Sequence, residues 1–178
     1  VSGVASLFTR EFYGQIQRHL KPGGILAQWI QLYELAPELL ASIMTALDES
    51  FPYYTLFAVD GSNLAILASV DGPIGPLSAK IFGYPDLMAE VKKYRVTDIN
   101  TLELHRLGDK PLLRSLFHSY GSPPNSDFFP YLDARATESR FLQSTSGDFV
   151  AIGDAPLPLQ ELLGARRYDQ GWLERPDE

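Results

Sequence analysis

The chain contains no cysteine, which excludes disulfides and thiolate metal sites and fits a reducing, cytoplasmic setting. Histidine is scarce too. His19, His105 and His118 are scattered, no two share a helical face at ligand spacing, and no metal site is expected from them. Apolar runs are short, none near the roughly 18 residues of a membrane span. The first residues do not follow the charged-then-apolar order of a secretory signal. The expectation is a cytoplasmic protein, with a membrane-anchored parent left open. Positive charge is in deficit: 15 Lys and Arg against 22 Asp and Glu give a net charge of −7. Nucleic-acid phosphates would be repelled, so no nucleic-acid partner is expected, and a cationic ligand such as a polyamine is compatible. No Gly-x-Gly-x-x-Gly occurs, and Gly72-Pro73-Ile74-Gly75-Pro76 is broken by proline, so it is no phosphate cradle. No Ser–His–Asp set has support beyond the residue types.

What is present suits a folded domain. Apolar residues make up 45% of the 178 and charged residues 21%, enough for one core, or one core with an appendage. Phe8, Phe12, Ile16 and Leu20 recur every four residues and predict an amphipathic helix, ended by Lys21-Pro22-Gly23-Gly24. Ile25 to Ile30 is apolar except for Gln28. It reads as a strand buried on both faces, as in a parallel sheet covered by helices. Pro37 suits a first helical turn, and Leu39, Leu40, Ile43, Met44 and Leu47 carry a helical period toward Ser50. Tyr53–Val59 and Leu64–Ser69 are β-rich, with Asp60-Gly61-Ser62-Asn63 between them as hairpin chemistry.

The order helix, strand, helix, strand, strand is a βαβ unit finishing in an antiparallel hairpin, an ending suited to a doubly wound sheet. The first helix has no strand before it, and strand Ile25–Ile30 would lack a neighbour on one side, leaving an unpaired edge. The expectation is that residues before Val1 belong to the same domain. The missing N-terminal part is one expected partner. A homo-oligomer through the open edge is the other.

Gly3-Val4-Ala5-Ser6-Leu7-Phe8, Phe12-Tyr13 and Leu20-Lys21-Pro22-Gly23-Gly24-Ile25-Leu26-Ala27-Gln28 together resemble the spermidine/spermine synthase family. That family has a loop of the Gly-Pro-Ala-x-x-Leu-Phe kind, a helix with paired aromatics, a Gly-Gly turn and a strand ending in Gln. The bacterial spermidine-synthase-like members, some fused to membrane transporter segments, are the most similar in Val1–Phe12. Asn125-Ser126-Asp127 with Pro130-Tyr131-Leu132 resembles an Asn-Thr-Asp…Pro-Tyr/Trp-Leu motif in the C-terminal part of the same proteins. The resemblance implies a class I methyltransferase-like Rossmann fold and aminopropyl transfer from decarboxylated S-adenosylmethionine to an amine. It also places the cofactor loop and the catalytic aspartates before Leu7, outside this chain. No cofactor is therefore expected in the chain itself, and no residue here is assigned a catalytic role. Two departures stand inside the matched part. Trp29-Ile30 follows Gln28 where members have a small residue and Glu, and Phe57–Gly61 stands where members carry a Tyr-Pro-Thr-Tyr-Pro-like segment.

Ligands of open α/β sheets bind outside the carboxyl ends of strands. The candidate substrate residues are accordingly Gln28, Gln31, Tyr33 and Glu34. Gln28 would turn its amide toward an amine, and Glu34 would pair with a cation. The competing reading makes Gln28 a satisfied polar residue within the strand and Glu34 a solvated loop charge. Ser2, Gly3 and Val4 match the family's gating loop, against a frayed terminus as the plainer reading.

Residues 1–72 thus read as a partial Rossmann-like α/β segment and 73–178 as a mainly helical extension packed on it. Helices are expected near Leu77–Phe82, Asp86–Tyr94, Asp98–Leu107, Pro111–Tyr120 and Leu157–Leu163. Thr97 or Asp98, and Asp109, are the expected N-caps. Phe128-Phe129-Pro130-Tyr131-Leu132 is expected to bury itself and pin the tail to the sheet. Asn125-Ser126-Asp127 has the composition of a turn or cap. The leading functional expectation is a C-terminal part of an aminopropyltransferase-like enzyme, inactive alone. Two alternatives are a non-catalytic interaction domain built on a partial Rossmann sheet and part of an S-adenosylmethionine-dependent methyltransferase.

Overall fold

The computed structural model describes residues 4–33, 35–60, 62–93 and 96–135. The expected helix Leu157–Leu163 lies outside them. A short 3-10 helix, Ala5–Phe8, leads into α1 (Arg10–His19), β1 (Ile25–Gln31), α2 (Pro37–Asp48), β2 (Tyr53–Asp60) and β3 (Asn63–Ser69). A second 3-10 helix (Ala79–Gly83), α3 (Pro85–Lys93), α4 (Ile99–Glu103), β4 (Arg106–Asp109) and α5 (Lys110–Ser119) complete the order.

The protein is mixed α/β, and the four strands among the described residues form an open sheet in the order β1-β3-β2-β4. Every neighbouring pair is antiparallel. Since β1 and β2 each run against β3, they run parallel to each other on its two sides, with α2 as the crossover between them. The expected hairpin is formed, with Ala58 opposite Leu64 and a bulge between Ala58 and Asp60.

Period-2 alternation decides the core. Leu56, Leu64, Ile66 and Ala68 point to the helices and are fully or nearly fully buried, beside Ile30 of β1. Helix α2 lies over them and against α1 and α5, and Leu39, Leu40, Ile43, Met44 and Leu47 are all buried. On α1 the stripe Phe12, Ile16, Leu20 packs at the margin, while Tyr13 is fully enclosed. On α5, Leu113 and Phe117 face the core. Asp48 at the end of α2 meets Lys110 Nζ at 2.9 Å and Arg114 Nε at 3.1 Å, fastening α5 to α2.

Three expectations change. Strand Ile25–Ile30 is not covered on both faces: Ile25, Ala27 and Trp29 are exposed on the side away from the helices, Trp29 at 58%. Among the described residues β3 is its sole strand neighbour. The expected helix Asp98–Leu107 stops at Glu103, and Arg106–Asp109 becomes β4, pairing with β2. Asp98 does cap α4, its carboxylate accepting from the Thr101 N–H at 2.9 Å. That bond comes first among those holding its carboxyl below the usual range. Asp109 sits at the N-cap of α5 without a capping bond. Its carboxylate instead accepts from Thr55 Oγ1 at 2.6 Å. Finally, Leu132 is buried, but Phe128 and Phe129 are 86% and 77% exposed. The turn from Ser126 to Phe129, closed by backbone bonds in both directions, turns those rings outward.

Candidate functional site

Two places in the described residues bring chemistry or space together. The first lies where the Ala5–Phe8 turn, α1, β1 and the 122–132 strap meet. Gln28 points to the core side of β1, and both ends of its amide are engaged. Its Oε1 accepts from the Tyr13 hydroxyl at 2.7 Å, and its Nε2 donates to the Leu7 carbonyl at 2.9 Å. Burial pushes the Tyr13 phenol far up, partly offset by the bond to Gln28, so the hydroxyl stays a neutral donor.

Asn125 works from the other side. Its Nδ2 donates to the carbonyls of Ala5 at 3.1 Å and Phe8 at 3.2 Å, and its Oδ1 accepts from the Leu132 N–H at 3.1 Å. Its own carbonyl accepts from the Arg10 N–H at 2.9 Å. Glu11 completes the clasp, accepting from Ser126 Oγ and the Asp127 N–H, each at 2.9 Å. Desolvation acts to raise the Glu11 carboxyl. The bonds from Asp127, its own backbone N–H and Ser126 outweigh it and leave the group below the usual carboxylate range. Asn125-Ser126-Asp127 is therefore a turn, as composition suggested, but its chief work is to hold residues 5–11 in place. The residue types alone gave no signal for that reach across the chain.

The other sequence candidates do not converge. Gln31 is half-buried at the end of β1, opposite Asn63. Tyr33 is exposed, as is Val4 at the start of the 3-10 turn. Glu34, Ser2 and Gly3 lie outside the described residues. Among the described residues no group of three or more His, Asp or Glu is placed to hold a metal ion. No helix among them is long and apolar enough to cross a membrane.

The second place was not foreseen from sequence. On the sheet face turned away from the helical core, Phe57, Ala65 and Leu67 form the floor of a cavity of about 290 Å3. Val91 of α3, Val96 and Leu102 of α4 lie across from them, and His105 is at its side. Arg106 ties this roof to the floor. Its guanidinium is buried and lies 4.8 Å from the centre of the Phe57 ring. It donates to Glu103 Oε2 at 2.8 Å and to the Gly75 carbonyl at 2.9 Å.

Comparison with protein-family models, with curated proteins and with solved structures found no match for this chain.

Proposed function

We propose that this chain is the C-terminal portion of a spermidine-synthase-like α/β domain, whose fold finishes a class I methyltransferase-like Rossmann sheet. The observation that carries the reading is the β1–α2–β2 crossover, with β3 entering antiparallel between its two parallel strands. A doubly wound sheet closing on a hairpin has this arrangement. The outer edge of β1, with Ile25, Ala27 and Trp29 exposed beside it, is then where the preceding strand and helices of the domain add. Aminopropyl transfer from decarboxylated S-adenosylmethionine belongs to that longer assembly, and the present residues supply the clasped loop 4–8 beside Gln28. An acidic net charge favours the cationic amine acceptor.

A second reading is a non-catalytic interaction domain that uses the same open edge for a partner strand. It is favoured by Gln28, whose amide is committed to Tyr13 and Leu7 and would have to leave both to meet an amine.

The test is calorimetry with decarboxylated S-adenosylmethionine, first on the 178-residue chain and then on the product of the reading frame extended upstream of Val1. The expected result is no binding by the chain and micromolar binding, with aminopropyl transfer to a diamine, by the longer product. Micromolar binding by the chain alone would refute the division of labour. An upstream sequence without a glycine-rich loop and acidic strand ends would leave the interaction domain standing.

A further inference from the structure

The cavity between the sheet and the α3–α4 roof has the attributes of a small-molecule site. It is a cleft open to solvent on one side, its volume of about 290 Å3 lies near the lower end of the ~300–1,000 Å3 of ligand pockets, and its lining is almost wholly apolar, as theirs is. The walls offer water little to bind, since it needs two to four polar partners and among the described residues His105 is the one polar side chain of the lining. Its Nδ1 lies 2.7 Å from the Ala58 carbonyl, which has no proton to give, so Nδ1 carries the hydrogen and Nε2 is the nitrogen left to a ligand.

An apolar cleft of this size would ordinarily close as its walls relax inward. Here the walls are held by polar bonds outside it. Arg106 binds Glu103 at the end of α4, the carbonyls of Ile74 and Gly75 in the loop above, and Thr55 Oγ1 on the sheet. The same guanidinium lies over the Phe57 ring. Glu103 also accepts from the Leu77 N–H at 2.5 Å, and Leu77 lines the cavity. The space is preformed, as ligand pockets usually are.

We infer that this cavity binds a small, uncharged, mostly hydrocarbon molecule of about a dozen non-hydrogen atoms carrying at most one polar group. The inference is independent of aminopropyl transfer: it concerns the opposite face of the sheet from Gln28, and a polyamine, charged throughout, is excluded from it by desolvation.

The test uses the full 178-residue chain and 1-aminonaphthalene, a probe of about a dozen non-hydrogen atoms whose emission shifts to the blue in apolar sites. One saturable site is expected, undisturbed by millimolar spermidine. Ala65→Phe, which fills the floor, should weaken binding at least tenfold while the melting temperature holds or rises. Val91→Phe, from the roof, serves the same purpose should the first variant fail to fold. Absence of saturable emission, or full affinity in a folded filled variant, would overturn the inference. So would nuclear Overhauser contacts from the Leu67 or Val91 methyls to side chains of residues 136–178, because the chain would then occupy the space itself.

Discussion

Asn125 and Ala5 stand 120 positions apart in sequence and are joined by a 3.1 Å hydrogen bond inside the protein. Asn125 is fully buried, so each group it satisfies would otherwise be an orphan in a dry place. Asn125→Ala should destabilise the fold by about 2–3 kcal/mol, since unsatisfied buried groups cost about 1–3 kcal/mol each and part of the strap can relax. Asn125→Asp should cost at least as much at neutral pH, because a carboxylate would face the carbonyls of Ala5 and Phe8. Urea unfolding of the three proteins measures both. Equal midpoints for wild type and Asn125→Ala would show the clasp to be dispensable.

Glu11 makes the same clasp sensitive to acid. Its carboxyl is lower in the folded protein than its ordinary value of 4.5, so its contribution is present above that value and is lost as pH falls through the folded one. Below about pH 4.5 the protection of the Asp127 amide, its exchange relative to an unstructured peptide at the same pH, should fall, and Glu11→Gln should show the lower protection already at pH 7. Exchange at Asp127 that ignores both changes would contradict the geometry.

Tyr13 works at the alkaline end. Burial raises its phenol, and that of Tyr54 with help from the Asp48 charge, above the ordinary 10.0. A raised acid favours the folded state below the unfolded value and loses that advantage as pH climbs beyond it. Absorbance titration should therefore show two tyrosines that ionise only as the chain unfolds, above pH 10.0. Tyr13→Phe should remove one of them and cost about 1–2 kcal/mol by leaving Gln28 Oε1 without its donor.

Arg106 is the cation on which the extension depends. Replacing it by Met leaves Glu103 facing a buried gap, and breaking a buried pair in this way costs about 3–5 kcal/mol. Arg106→Lys should recover little, because one ammonium cannot reach Glu103, Gly75 and Thr55 in the planar arrangement of the guanidinium. Proteolysis should then cut first within 70–105 while α1, α2 and the β2–β3 hairpin stay protected. A uniform loss of protection would mean that the extension is not separately fastened.

The helices and the hairpin were legible in the sequence because each carries its own period. Phe12, Ile16 and Leu20 repeat at helical spacing, and Tyr53–Val59 and Leu64–Ser69 flank turn residues. Strand β1 was legible as a strand and misleading about its surroundings. Ile25, Ala27 and Trp29 make its outer side as apolar as its inner one, and residue types cannot say whether that side is covered. Strand β4 was hidden because Arg106-Leu107-Gly108-Asp109 has a single apolar side chain and follows a helical pattern from Ile99. Its pairing is set by Arg106 and Asp109 meeting Thr55, a relation between distant segments. The two phenylalanines at 128 and 129 defeated the rule that large rings go inside, since a four-residue turn fixes their direction. The cavity left no local trace, because its walls come from five separate stretches of chain.

The position of β3 between β1 and β2 also bears on how the protein is made. Synthesis proceeds from β1 toward β3, so along the edge it shares with β3 the strand Ile25–Gln31 leaves the ribosome unpaired until Asn63–Ser69 follows it. At about 5–20 residues per second, that wait is on the order of seconds. During it, the nascent chain displays an apolar, hydrogen-bond-hungry segment to its surroundings, and co-translational protection of that segment would govern the yield of folded protein more than its final stability does.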